Sequence, residues 1–234
     1  MRVFYIGDFN KFYSTEVYIA YGLEEAGNKV FCYQNNGIET PESVIDRVNE
    51  FKPDFVLFAK SPFNSKNLSI INKLKEIGIL TVSWNFDLYF NLPPELGGTR
   101  TKDSAVFFCD IIIATDGGEY GGVPHETLRQ GIHAPDAHFG RADTESGEIV
   151  FVGSNSYIKR ALLLGFLRKT YGDRFVHVGG RSEVRGEKLN DIVTSAKIVV
   201  GDSVPSDNYW SNRIYEMLGR GAFLIHPKVE GLEK

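Results

Sequence analysis

Residues 148–172, with the sequence EIVFVGSNSYIKRALLLGFLRKTYG, combine a short apolar strand, a Gly-Ser turn and a long helix, and this pattern decides the fold. The strand IVFV is apolar at every position, which is typical of a strand buried on both faces of a parallel sheet. The chain begins in the same way, with RVFYIGD at residues 2–8 and TEVYIAYGLEEAG at residues 15–27. A strand–turn–helix unit therefore opens each half of the chain.

More apolar strands and helices alternate after each of these units. The first half continues with KVFCYQ, SVIDRVNEF, DFVLFA, LSIINKLKEIG, LTVSWNFD and CDIIIATD, and the second half with RFVHVGG, EKLNDIVTSA, KIVVGDS, SNRIYEMLGRG and AFLIHP. Strands that alternate with helices of about ten residues or more predict βαβ crossovers and a parallel sheet. We therefore predict an α/β fold with two Rossmann-like parallel-sheet domains, residues 1–140 and 147–234.

Residues 121–147, between the two halves, are rich in Gly, Pro and polar residues, a composition that predicts an interdomain connection. The second half offers about four strands, whereas a closed Rossmann-like half has about five or six. We therefore expect the second domain to be incomplete at its C-terminus and to belong to a longer parent protein.

The charge of the chain differs between its halves. The net charge of −4 argues against a general nucleic-acid binder. Residues 147–234 hold 13 Lys and Arg against 10 Asp and Glu, or +3, which leaves 13 against 20, or −7, for residues 1–146. A ligand that carries phosphate is therefore better suited to the second half.

The chain gives no sign of a membrane span or a resident cofactor. Its longest apolar runs are the length of strands, and its N-terminus does not resemble a signal peptide, which together predict a cytoplasmic protein. Cys32 and Cys109 are far apart in sequence, so we expect two reduced thiols. The five histidines show no metal-ligand spacing, so we expect neither a metal nor another cofactor.

Small and polar residues follow the predicted strands, and ligands of open parallel sheets bind at this edge. The first half offers Gly7, Asp8 and Asp87, and the second half offers Gly153, Ser154, Gly180, Arg181 and Ser203. A glycine here either lets backbone N–H groups approach a phosphate or serves only a tight turn. Asp87 can be a base, a hydroxyl ligand or a cap for the next turn. The glycine fingerprints of dinucleotide-binding proteins and of P-loops are absent from the sequence.

Two helices carry further candidates. Lys159 and Arg160 begin the helix after Gly153 and Ser154, where they could meet a diphosphate or simply face solvent. In the helix after Ser211, the predicted cap, the apolar stripe is Ile214, Met217 and Leu218, and an adjacent face carries Asn212, Arg213, Glu216 and Arg220. Glu216 can accept bonds from two ribose hydroxyls, or it can form a weak surface pair with Arg213.

Residues 211–234, SNRIYEMLGRGAFLIHPKVEGLEK, resemble the donor-site segment of GT-B glycosyltransferases of the group 1 kind. The nearest pattern, N-x-R-x-x-E-x-x-x-x-G-x-x-x-L, is that of the branch related to spore-maturation glycosyltransferases. Asn212, Arg213, Glu216, Gly221 and Leu224 fall close to it, with Arg213 directly after Asn212. The segments IVFVGSNSYIKRALLLGFL, QGIHAPDAHF, EFKPDFVLF and GILTVSWNFD also resemble parts of that family.

The resemblance implies a GT-B-like protein that moves a sugar from a nucleotide-sugar donor, bound by the second domain, to an unknown acceptor, bound by the first. Glu216 would hold the donor ribose, and Arg160, with Lys159, would stabilise the leaving diphosphate without a metal. The expected catalytic residues are Arg160, Glu216 and Asp87. The expected donor-binding residues are Gly153, Ser154, Lys159, Arg160, Gly180, Arg181, Ser203, Asn212, Arg213 and Glu216, and the acceptor-side residues are Gly7, Asp8 and Asp87.

One position departs from the pattern of that family. Many group 1 enzymes carry a glutamate eight positions before the one that matches Glu216, and here that residue is Asn208. Two alternatives therefore stay open. The protein could be a non-catalytic or incomplete GT-B-like module that binds a sugar or a nucleotide, or it could be a nucleotide-sugar epimerase of the same fold.

Overall fold

The structure is a computed structural model that describes residues 1–35, 40–59, 65–86, 105–115, 124–142, 147–155, 158–179, 184–204 and 208–232. The chain divides into two compact units, Met1–Arg129 and Gln130–Lys234, named here the first and the second unit. Each unit contains a parallel sheet with helices on its faces. The predicted α/β fold with two Rossmann-like parallel-sheet domains is therefore confirmed. No helix in the described ranges is both long enough and apolar enough to cross a membrane.

The first unit contains a six-stranded sheet. Its elements are β1 (Arg2–Gly7), α1 (Thr15–Glu25), β2 (Lys29–Gln34), α2 (Pro41–Phe51), β3 (Phe55–Ala59), α3 (Ser65–Glu76), β4 (Leu80–Asn85), a 3-10 helix (Ala105–Phe108), β5 (Ile111–Ala114) and β6 (Glu126–Thr127). The strands lie in the order β2-β1-β3-β4-β5-β6, and every neighbouring pair is parallel.

Both faces of β1 are buried, which explains why this strand is apolar throughout. Phe4 and Ile6 point into a core shared with α2 and α3. Val3 and Tyr5 point into a separate core with α1 on the opposite face. Two helices of this unit begin at capping side chains. The Ser14 hydroxyl accepts a hydrogen bond from the N–H of Val17 at the start of α1, and the Thr40 hydroxyl accepts one from the N–H of Ser43 at the start of α2.

The second unit contains a four-stranded sheet. After a 3-10 helix (Ala134–Asp136), its elements are β7 (Ile149–Val152), α4 (Ile158–Tyr171), a 3-10 helix (Gly172–Arg174), β8 (Phe175–Val178), α5 (Gly186–Ser195), β9 (Ile198–Val200), α6 (Arg213–Gly219) and β10 (Leu224–Ile225). The order is β10-β9-β7-β8, again with parallel pairs. Phe151 faces the core formed with α4, whereas Val150 and Val152 face the core formed with α5 and α6.

Part of the predicted interdomain segment packs on the second unit. The N–H of Gly140 donates to Thr194 Oγ1 at 2.8 Å, and the N–H of Arg141 donates to Asp191 Oδ1 at 2.6 Å. A Cβ atom at residue 140 would lie 2.2 Å from the backbone N of Asp191, so only glycine allows this approach to α5.

The two sheets share one topological feature, a reversal of the strand order beside a central strand. In each, the chain leaves a central strand for a neighbour on one side and then crosses back to the other side, giving the local orders β2-β1-β3 and β8-β7-β9. The helix after the central strand covers one face, and the next helix covers the opposite face. At such a switch point the connections diverge and leave a crevice beyond the carboxyl ends of the strands. The switch points lie between β1 and β3 and between β7 and β9.

Candidate functional site

Two arginines share one carboxylate at the switch point of the second unit. Asp202 lies two residues after the end of β9. Its Oδ2 accepts a hydrogen bond from Arg160 Nε at 2.6 Å, and its Oδ1 accepts one from Arg213 Nη1 at 2.6 Å. Distances this short are typical of charge-assisted hydrogen bonds. Because Arg160 lies on α4 and Arg213 on α6, Asp202 joins helices from opposite faces of the sheet.

This arginine cluster, defined as Arg160, Asp202 and Arg213, is largely removed from solvent. Each arginine is 9% exposed. Their guanidinium carbons lie 5.7 and 5.0 Å from the centroid of the Phe151 ring, where the π face attracts cations. Burial lowers the pKa of Arg213, and the Asp202 carboxylate opposes that effect. Two guanidiniums and one carboxylate leave a formal charge of +1, which favours an anionic ligand at this edge.

Glycine is required beside the arginine cluster. Gly153 has φ +144°, and a Cβ atom there would lie 2.4 Å from Arg213 Nη2. Gly179 has φ +142°, and a Cβ atom there would lie 2.2 Å from the carbonyl oxygen of Gly153. Both residues therefore have a backbone conformation that other residues rarely adopt, and neither position has room for a Cβ atom. The positive φ of Gly153 is consistent with a glycine that serves a tight turn. The same residue also lies beside the cationic group of Arg213.

The turn after β7 is fixed by side chains from two elements. Arg160 Nη1 donates to the carbonyl oxygen of Ser154 at 3.0 Å and lies 3.3 Å from its hydroxyl. His177 Nε2, on β8, lies 2.7 Å from the carbonyl oxygen of Gly153, and its Nδ1 lies 3.1 Å from Arg168 Nη2. Since a guanidinium only donates, Nδ1 accepts and Nε2 carries the proton donated to Gly153.

Glu216 lies in the first turn of α6 and is half-buried. Asn212 Nδ2 donates to Glu216 Oε1 at 3.2 Å. Burial raises the pKa of Glu216, whereas the charges of Arg220, Arg213 and Arg185 lower it. Arg213 is buried and forms an ion pair with Asp202, and its charge also acts on Glu216. The surface pair between Arg213 and Glu216 stays a prediction.

The neighbours of Glu216 along α6 differ from the expectation. Ser211 Oγ accepts from the N–H of Arg213 at 3.3 Å, but the N-cap position itself is Asn212. Arg220, expected beside Arg213 and Glu216, is 4% exposed and binds Asp136, with Nη2 3.2 Å from Oδ2. It also donates to Asn190 Oδ1. The long side chain therefore points to the 3-10 helix Ala134–Asp136 rather than along the expected face.

The remaining donor-side candidates are dispersed. Lys159 is exposed on α4. The hydroxyl oxygen of Ser203 is buried and has no hydrogen-bond partner within the described ranges. Gly180 and Arg181 lie outside the described residues. Asn208 has φ +57°, a left-handed conformation that asparagine tolerates better than glutamate does, and its N–H donates to the carbonyl oxygen of Glu230 at 3.0 Å.

The two described acceptor-side candidates lie together at the switch point of the first unit. Gly7 ends β1, and a Cβ atom there would lie 3.1 Å from Cγ of Glu16. Asp8 Oδ1 accepts from the N–H of Asn10 at 3.1 Å, from Asn10 Nδ2 at 2.9 Å and from Gln34 Nε2 at 3.2 Å. The hydrogen bond from the Asn10 backbone makes the largest contribution to a lowered pKa of Asp8. Asp87 lies outside the described residues.

Asp202 is the site residue that sequence reasoning missed. From the turn GDS at residues 201–203, the sequence analysis selects only Ser203. The available signal was an acidic residue in the turn after β9, a strand that neighbours the central strand β7. Among the described residues, no three or more His, Cys, Asp or Glu side chains are grouped so that they could hold a metal ion.

The topology defines an α/β protein of two Rossmann-like units, with a cationic cluster at the switch point of the second. The chain matches no known family model and no curated protein. Among solved structures, it is similar to the crystal structure of MurG from Acinetobacter baumannii, with a TM-score of 0.47 and 10% sequence identity over 96% of this chain and 86% of the MurG chain.

Proposed function

We propose that this protein is a glycosyltransferase that moves a sugar from a nucleotide-sugar donor, bound by the second unit, to an acceptor. The convergence of Arg160 and Arg213 on Asp202 at the switch point, beside Gly153, carries the proposal. The motif resemblance of residues 211–234 supports the group 1 GT-B class and, more finely, its branch related to spore-maturation glycosyltransferases.

The arginine cluster has the capacity to bind a diphosphate. A guanidinium carries a permanent positive charge and five N–H donors in a planar fork that matches phosphate oxygens. Two such groups, Arg160 and Arg213, converge here on a single carboxylate, Asp202. The positive N-terminal end of α4 follows the turn at Gly153, which adds to the attraction for an anion. Ser203 lies in the turn after β9, and its hydroxyl is buried. A bound phosphate would give this hydroxyl a hydrogen-bond partner.

The same groups suit the chemistry of transfer. The bond between the anomeric carbon and the diphosphate oxygen breaks, and its electron pair goes to that oxygen. The acceptor hydroxyl forms the new bond to the anomeric carbon and gives its proton to a general base, the role proposed for Asp87. Arg160 and Arg213 would stabilise the charge on the departing diphosphate. Glu216, held by Asn212, would accept bonds from ribose hydroxyls when it is ionised.

Binding of a panel of UDP, GDP, ADP, CMP and dTDP, measured by thermal stabilisation and calorimetry, tests the donor site. We expect one nucleotide to bind wild type, and we expect Glu216→Ala to weaken that binding while the fold stays intact. Glu50→Ala is the matched control, because Glu50 is an exposed glutamate of the first unit that pairs with Arg47. Silence of all five nucleotides with folded wild-type protein would refute the proposal.

Turnover then separates transfer from the two alternatives. The sugar donor of the responding nucleotide is incubated with the protein, with and without a mixture of acceptor saccharides. Release of nucleotide with a new glycosidic product supports transfer. Conversion of the sugar without an acceptor indicates an epimerase. Binding without any turnover indicates a non-catalytic module, an outcome consistent with Asn208 in place of a glutamate.

A further inference from the structure

The loop after β1 presents aromatic rings at the switch point of the first unit. This aromatic loop, residues 8–14, joins β1 to α1 and therefore lies at the carboxyl edge of the sheet. Phe12 is 75% exposed. Its ring meets the Tyr13 ring edge to face, with centroids 5.0 Å apart and planes at 83°. Lys11 Nζ lies 5.9 Å from the centroid of the Tyr13 ring.

The base of the aromatic loop is firmly anchored. Phe9 N–H donates to Gln34 Oε1 at 2.6 Å, and Gln34 Nε2 donates to Asp8 Oδ1 at 3.2 Å. Ser14 Oγ donates to the carbonyl oxygen of Asp8 at 3.0 Å, and the Phe9 ring packs edge to face on Tyr5 at 5.0 Å. The exposed ring of Phe12 therefore stands on an ordered support, so a ligand would meet a preorganised surface.

Three polar side chains share the loop with the exposed ring. The Asp8 carboxylate, the Asn10 amide and the Lys11 ammonium are all exposed on the same short loop. They supply acceptors and donors for hydroxyl groups. The Asp8 carboxylate would repel a phosphate, and the net charge of −7 on residues 1–146 disfavours nucleic acid as well.

A sugar ring has the surface that matches this combination. One face of a pyranose carries C–H groups with a small positive charge, which the negative face of an aromatic ring attracts. Its rim carries hydroxyls that need both donors and acceptors. An aromatic ligand would stack equally well on Phe12, but it would make no use of the exposed polar groups of Asp8, Asn10 and Lys11.

We propose that the aromatic loop binds a saccharide, with Phe12 stacked on one sugar ring and Asp8 and Lys11 hydrogen-bonded to its hydroxyls. Identification of this saccharide as the acceptor rests on the proposed transferase function. The binding of the saccharide itself does not, because it depends only on groups of the first unit.

Calorimetric titration of the full chain with cellotetraose, maltotetraose and tetra-N-acetylchitotetraose tests this binding. We expect at least one tetrasaccharide to bind wild type, and Phe12→Ala to weaken that binding roughly 5- to 10-fold. Phe12→Trp keeps a stacking ring and should retain the affinity. Phe166→Ala is the matched control, because Phe166 is also exposed, at 59%, on α4 of the second unit.

Several outcomes would overturn the proposal. They are no binding of any of the three tetrasaccharides to wild type at millimolar concentration, equal binding by Phe12→Ala, or equal loss in Phe166→Ala. Since Phe12 is exposed, its variants should melt at the wild-type temperature. Saccharide binding without a response in the nucleotide panel supports the aromatic loop and refutes the donor site, whereas the reverse pattern refutes the aromatic loop alone.

Discussion

At the switch point of the second unit, two buried guanidiniums share the Asp202 carboxylate above the Phe151 ring. At that of the first unit, an exposed carboxylate, Asp8, lies beside the exposed ring of Phe12. The local strand order is the same in both units, so the connections diverge at the same place in both sheets. The side chains that follow the strands give one edge a buried cation and the other an exposed aromatic surface. With the same topology at both edges, these few residues set the chemical character of each edge.

The largest expected loss of stability follows from removal of the Asp202 carboxylate, which pairs with both arginines of the arginine cluster. Asp202→Ala leaves Arg160 and Arg213 buried without their counter-charge and should lower the free energy of unfolding by about 3 kcal/mol. Urea unfolding of the variant and of the control Asp173→Ala, an exposed aspartate of the same unit, measures this loss. Added inorganic phosphate should stabilise Asp202→Ala more than wild type. A loss below about 1 kcal/mol, close to that of an ordinary surface ion pair, would show that the cluster does not need Asp202.

An intermediate effect is expected where glycine makes room for Arg213. Gly153→Ala requires a strained φ of +144° and puts Cβ 2.4 Å from Arg213 Nη2. We expect a loss of about 1–3 kcal/mol and weaker nucleotide binding. Gly22→Ala, in α1, is the matched control, since a Cβ atom there meets nothing within 4 Å. That change should stabilise the helix by up to about 1 kcal/mol. Unaltered stability of Gly153→Ala would mean that Arg213 has another position of equal energy.

The smallest expected effect is a pH-dependent loss of stability when Asp8, at the switch point of the first unit, is replaced. The lowered pKa of Asp8 means that its ionised form stabilises the fold. This contribution is complete above about pH 4, the ordinary range for aspartate, and is lost as the pH falls through the lowered pKa. Asp8→Asn should therefore lower the free energy of unfolding near neutral pH by a few tenths of a kcal/mol, since the group is exposed. Unfolding curves between pH 2 and 7 should converge at the acid end; a constant difference would indicate a change unrelated to ionisation.

Strands buried on both faces were the most predictable part of the fold. β1 and β7 read as unbroken apolar runs because one set of side chains faces one helix layer and the other set faces the opposite layer. By contrast, β6, Glu126–Thr127, lies within the segment predicted to be a connection. Two residues are too few to show an alternating pattern, so periodicity could not reveal this strand.

The chemistry of the site was less predictable, because its partners are distant in sequence. Asp202 meets Arg160 from 42 positions away, and Arg220 meets Asp136 from 84 positions away. Helical spacing correctly puts Arg213 and Glu216 on one short helix, with Arg220 at its C-cap. It does not determine which carboxylate each arginine side chain reaches. The positive φ of Asn208 explains why asparagine suits this position, and this backbone angle could not be predicted from the sequence.

The packing of residues 130–142 on α5 has a practical consequence for dissection of the protein by limited proteolysis or by expression of its parts. A fragment that started at residue 147 would lack Asp136, and the guanidinium of Arg220, 4% exposed in the whole chain, would lose its counter-ion. It would also uncover the stretch of α5 on which Gly140 lies. A fragment that started at Gln130 would keep both. A protease that cuts on the N-terminal side of residue 130 should therefore yield a resistant product, and one that cuts near residue 145 should yield a product that degrades further.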